Sequence, residues 1–171
     1  ERPRVETRPP SVGTLGDVAI ALATQAGIEP EPWQADGLRL MMSIREDGKW
    51  AARQYAEWLG RQQGKTGGLL MPRALAGFLV LGEHLTTWAA HLYDTAKESF
   101  ILATELLENL GEEIGKDLID IDGVVVKVVN TNGAKGFIRR DTKARWHFMA
   151  RSQRSGRGFT GNTNIVDEAW A

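Results

Sequence analysis

A Gly64-Lys65-Thr66 triplet lies between a strand-like segment, Trp50–Leu59, and an apolar one, Leu69–Leu81. No other feature constrains the fold as much. A strand that feeds an apolar helix through a short glycine-bearing loop must bury that helix against a sheet, which predicts an α/β layered domain. The same order of elements has a chemical meaning. A phosphate chain is held by backbone N–H groups at a helix N-terminus, by a lysine, and by a hydroxyl that reaches Mg2+. The triplet offers all three. An ordinary phosphate loop has four residues between its glycines, whereas Gly60 leaves three before Gly64. A surface turn with an incidental lysine is the competing reading. Within the expected strand, Tyr55, Trp58 and Leu59 suit a sheet, but Arg53, Gln54 and Glu57 are polar for a buried parallel strand.

The rest of the chain alternates helical and strand-like patterns. Residues 1–12 read as an extended arm, since three of the six prolines fall in Glu1–Pro10. From Gly16 to Ala26 small and aliphatic residues recur at helical spacing, with Gly27 as a stop. Pro30 and Pro32 precede a second helix, with Trp33, Leu38, Met41 and Met42 facing inward, and Asp47-Gly48 signals a turn. Leu85–Ala90 is read as a strand, and Thr95–Leu110 as a helix capped by Asp94 and stopped at Gly111. Val124–Val129 is β-branched. Phe137–Arg139 and Arg145–Ala150 are expected to pair as a hairpin turning at Asp141–Lys143, and Ile165-Val166 leads into Asp167-Glu168. With 42% apolar residues the chain can build a core. Without cysteine it has no disulfide, thiol nucleophile or iron–sulfur ligand. The longest apolar stretch, Ala74–Leu81, is too short to span a bilayer.

Charge is balanced overall, with 21 Lys/Arg against 22 Asp/Glu, but unevenly spread. Lys135–Arg157 holds eight basic residues and one acid, while Glu105–Asp122 holds seven acids and one lysine. A basic hairpin bearing Arg139, Arg140, Lys143 and Arg145 could meet DNA phosphates, its arginines could face a nucleotide, or it could simply be a solvated face. Asp167-Glu168 at a strand end suits Mg2+-dependent phosphoryl transfer, with the aspartate in the metal shell and the glutamate on the attacking water. An acidic pair in such a place is otherwise merely solvated. Asp117, Asp120 and Asp122 lack the other ligand positions of a calcium loop. His84, His91 and His147 show no metal-ligand spacing.

Taken together, residues 13–171 resemble the N-terminal ATPase domain of the tailed-bacteriophage terminase large subunit. The matching segments run in order: Pro32-Trp33-Gln34, Asp47-Gly48-Lys49-Trp50, Arg61-Gln62-Gln63-Gly64-Lys65-Thr66, Ala90-His91 and Thr95-Ala96. Ala150-Arg151-Ser152, Gly156-Arg157-Gly158-Phe159 and Asp167-Glu168-Ala169 follow. The third of these resembles the family's variant Walker A loop, which accounts for the irregular glycine spacing.

The resemblance implies a three-layer P-loop NTPase fold of the additional-strand, catalytic-glutamate class, with a mostly parallel sheet and a β-hairpin insertion. It implies that Gln34 reads adenine with Trp33 nearby, and that Arg61, Gln62, Gln63, Gly64, Lys65 and Thr66 bind ATP. Thr66 and Asp167 would order Mg2+ and Glu168 would position water, with Lys65 and Arg61 stabilising phosphate charge. Arg157 would be a further DNA or phosphate contact. The implied partners are double-stranded viral DNA, a small terminase subunit, a portal protein and further copies of the chain in a ring. The implied setting is the host bacterial cytoplasm with transient docking on the procapsid and no membrane. The family continues beyond its Walker B strand with a coupling motif, a lid and a nuclease domain. The strand between the Walker A and Walker B strands also lies in that continuation, so the chain is expected to be part of a larger protein. A helicase-like P-loop ATPase and an inactive nucleotide- or DNA-binding remnant are the alternative readings.

Overall fold

The computed structural model describes residues 5–60, 63–131, 134–151 and 161–168. They form two compact units, Glu1–Leu75 and Ala76–Ala171.

In the first unit, β1 (Gly13–Thr14) pairs antiparallel with β2 (Ser43–Ile44), and two helices, α1 (Gly16–Gln25) and α2 (Pro32–Met41), pack on each other. Ala19, Ala23 and Ala26 form a buried stripe of small side chains on α1, opposite the fully buried Leu38 and Met42. Gly16 allows the closest approach, because a Cβ there would lie 2.5 Å from the Cα of Arg39. Gly27 ends α1 at φ 89°, a left-handed conformation glycine adopts without steric cost. Pro32 pre-sets the first turn of α2. Of the four positions expected to face inward on α2, Leu38 and Met42 are buried, while Trp33 and Met41 are half-buried.

The expected strand over Trp50–Leu59 does not form. Trp50 makes a single antiparallel bridge to Ile44 across the Asp47-Gly48 turn, and the described chain from Ala51 to Gly60 is irregular. A strand is held by a ladder partner, and beyond the contacts of Trp50 and Ala51 with β2 no described strand pairs with the segment. The polar residues also break the alternation, leaving Trp58 84% exposed and Tyr55 donating to the nearby Glu57 carboxylate. After Gly64, a π-helical turn (Thr66–Leu70) leads into α3 (Met71–Leu79), so the helix expected over Leu69–Leu81 begins earlier. The boundary between the units falls inside α3.

The second unit is a seven-stranded sheet with helical cover on one face. Its strands are β3 (Leu85–Ala90), β4 (Glu112–Gly115), β5 (Leu118–Ile121), β6 (Val124–Thr131), β7 (Ala134–Arg139), β8 (Arg145–Ala150) and β9 (Thr163–Val166), ordered 4-5-6-7-8-3-9. Among the described strands, only β3–β8 and β3–β9 are parallel pairs; the others are antiparallel. This corrects the expectation of a mostly parallel sheet. Short turns can join only antiparallel neighbours, and the chain from Glu112 to Ala150 is one continuous meander. The parallel pairs arise where β3 is separated from β8 and β9 by longer crossings that include α4 (Tyr93–Leu110).

Helix α4 begins two residues before the expected start. Leu92 occupies the cap and Asp94 lies in the first turn. Its buried stripe, Ala96, Phe100, Ala103 and Leu107, recurs every three or four residues, so one side faces the sheet. Phe100 stacks on Phe137 at 5.2 Å and meets Phe148 edge-on at 5.6 Å. Phe78 at the end of α3 lies 6.4 Å from the same Phe137, which puts both helical segments on one face. Trp88 and Trp146, both fully buried, complete this aromatic core. Taken alone, the described second unit has two layers, so it does not itself form the expected three.

Candidate functional site

The phosphate-loop candidate lies in the first unit. Gly64 adopts φ 71° and passes the chain to Lys65, whose φ of −54° and ψ of −48° are already helical; Thr66 opens the π-helical turn. Within the turn the Met71 N–H donates to the Thr66 carbonyl, five residues back. Such wide turns are frequent at functional sites. Gln63 and Gly64 are exposed, and Lys65 and Thr66 are half-buried. Arg61 and Gln62 lie outside the described residues.

Gln34 is 5% exposed and sits beside this loop on the first turn of α2. Its Oε1 accepts the Glu31 N–H at 2.7 Å, while the Glu31 side chain accepts the Gln34 N–H, a reciprocal cap. Its Nε2 donates to the Gly64 carbonyl at 3.1 Å. The amide expected to read adenine is thus engaged with protein at both ends and withdrawn from the surface. Trp33, one position earlier, is half-buried.

The acidic pair lies in the second unit, at the carboxyl end of β9. Three parallel strands end together here, the usual position of a ligand site in an α/β sheet. The Arg151 N–H donates to Ala90 O at 2.8 Å and the Asp167 N–H to Ala89 O at 2.9 Å, which aligns the three chain ends. Asp167 is 3% exposed, and its Oδ1 accepts the Glu168 N–H at 3.0 Å. Glu168 is exposed and left-handed at φ 54°, costly for a residue with a Cβ. Arg151 Nη2 donates to the Glu168 carbonyl at 2.6 Å and helps fix that conformation. Such a backbone clamp leaves no trace in residue spacing. In the sequence Arg151 belongs to the basic run Lys135–Arg157 and to an Ala-Arg-Ser segment, neither of which points to this bond.

Magnesium is a hard cation that takes one or two protein oxygens and completes its shell with water and substrate phosphate. The Thr66 hydroxyl and Asp167 carboxylate are donors of that kind, and the described residues contain no cluster of three or more His, Asp or Glu that would hold a metal unaided. Each of the two oxygens, one in the first unit and one in the second, is of the chemical kind such a cation accepts.

The basic hairpin is formed by β7 and β8, with Lys143 left-handed at φ 62° in its turn. Arg140, Lys143 and Arg145 are exposed on it; Arg157 lies outside the described residues. Arg139 does not join them. It is 9% exposed, with Nη1 donating to Phe78 O and Leu79 O at 3.1 and 2.6 Å, and Nε and Nη2 to the two Asp141 oxygens. The expected phosphate contact is instead a C-terminal cap for α3. Hydrogen bonds from Arg139 hold the Asp141 carboxyl well below the usual carboxylate range. On the neighbouring strand, burial and then the Arg145 charge push the His147 imidazole below its ordinary value. No described helix is long and apolar enough to cross a membrane. Compared with known proteins, the chain matches no family profile, no curated protein and no solved structure.

Proposed function

We propose that the chain is the ATP-hydrolysing motor subunit of a phage DNA-packaging terminase, driving double-stranded viral DNA into a procapsid. The observation that carries this reading is the loop. A left-handed Gly64 leads straight into Lys65 and Thr66 at the head of a helical run, where N–H groups and the lysine suit a polyphosphate. The clamped Asp167-Glu168 pair at the end of a parallel strand supplies the second half of the chemistry.

In this reading the Gln63–Thr66 amides and the Lys65 ammonium hold the phosphates, and Arg61 adds charge stabilisation at the γ-phosphate. Thr66 and Asp167 would each offer an oxygen to Mg2+, which when bound would neutralise phosphate oxygens. Glu168 accepts a hydrogen bond from the attacking water and takes its proton. The water oxygen bonds to the γ-phosphorus, and the bond to the bridging oxygen breaks, leaving its electron pair on ADP. Arg140, Lys143, Arg145 and Arg157 offer charge to DNA. A small terminase subunit, a portal and further copies of the chain in a ring complete the assembly in the host cytoplasm.

The test is titration of a fluorescent ATP analogue. Lys65→Ala is expected to weaken binding by about ten- to a hundredfold, the worth of a charge-assisted phosphate contact. Unchanged affinity would remove the loop from the site.

A further inference from the structure

Two glycines of the phosphate loop are shaped around one side chain. A Cβ on Gly64 would lie 2.9 Å from Gln34 Nε2, and a Cβ on Gly68 would overlap the Gln34 amide outright. Gly67, between them, has open space at the same position. The Gly64 carbonyl accepts from Gln34 Nε2 at 3.1 Å and from the Gly68 N–H at 2.9 Å. In a trans peptide the C=O and the following N–H point in opposite directions. Holding the Gly64 oxygen towards Gln34 therefore turns the Lys65 N–H to the opposite side, away from Gln34. The Glu31–Gln34 cap fixes the side chain from its other end.

We infer that Gln34 is a positioning residue for the phosphate loop: it sets the Gly64–Lys65 peptide plane and acts on the polyphosphate irrespective of the base. This rests on the reading of Gln63–Thr66 as a phosphate site. It predicts that substitutions at Gln34 weaken every ligand carrying a triphosphate, with or without a nucleobase. A base reader would affect ATP alone.

Competition by ATP, GTP and inorganic tripolyphosphate against the fluorescent analogue tests this. Gln34→Glu can still accept the Glu31 N–H but, when ionised, cannot donate to Gly64. It and Gln34→Ala should weaken all three ligands by the same factor, about three- to tenfold for one lost hydrogen bond. Gly68→Ala should do likewise by displacing the amide. In the Gln34→Ala background it should cost nothing more, because its Cβ enters vacated space; this non-additivity would not follow from a general loss of stability. A loss confined to ATP, or no loss in any Gln34 variant while Lys65→Ala weakens binding as expected, would overturn the inference. Tripolyphosphate binding untouched by Lys65→Ala would instead overturn the phosphate-site reading on which it stands.

Discussion

A buried guanidinium is tolerable only when its N–H groups find oxygens, and Arg139 makes four such bonds. Two go to helix-end carbonyls that would otherwise lack a partner. Arg139→Ala should therefore destabilise the second unit by about 3 kcal/mol, read by urea denaturation, although the residue lies in a run of surface-like basic residues. A change within 0.5 kcal/mol, the size of an ordinary surface substitution, would contradict the cap. The sign of pH dependence follows for His147. Its folded-state affinity for protons is lowered by burial and by Arg145, so the unfolded chain takes up the proton first on acidification. Its favourable contribution is complete above the ordinary histidine value of about 6.5 and is lost as pH falls through the lower folded value. Replacing His147 with Gln should flatten the fall in melting temperature between about pH 7 and pH 5. An unaltered profile would place the titration elsewhere.

At the scale of elements, legibility followed how locally each was determined. The α1 and α4 periodicities, the β-branched run of β6 and the turn of the β7–β8 hairpin are written in consecutive residues, and the structure has each within a few positions. Strands β4 and β5 were hidden, because Glu112, Glu113, Asp117, Asp120 and Asp122 make the stretch acidic and give no β-branched run. Their pairing comes from Ile119 and Ile121 facing inward beside β6, a tertiary effect. The strand expected over Trp50–Leu59 failed for the converse reason, since its composition suggested β structure without a ladder partner alongside. For the hairpin, Arg140, Lys143 and Arg145 remain exposed after Arg139 is withdrawn. If they contact DNA backbone, neutralising two of them should reduce the log–log salt dependence of DNA binding by roughly one to two units. An unchanged slope would make the hairpin a solvated face.

For the whole molecule, alternation of helix and strand was enough to give an α/β class, whereas the sheet expected to be mostly parallel is mixed and mostly antiparallel. Strand direction was not legible, because it depends on which connections are turns and which are crossings. The site divides in the same way. Gly64-Lys65-Thr66 and Asp167-Glu168 could be picked out because their chemistry sits in adjacent residues. The engagement of Gln34 with Gly64, thirty positions away, and of Arg151 with Glu168 could not. The central proposal is that the chain hydrolyses ATP, with Glu168 as the group that takes the water's proton. Its most direct test is release of radiolabelled phosphate from Mg-ATP by the parent and by Glu168→Gln, with nucleotide affinity measured on both. The carboxamide keeps the shape of the side chain but cannot take the water's proton. Phosphate release should fall by about a hundredfold or more while affinity stays the same. Equal release from the two proteins, or none from the parent, would contradict the account.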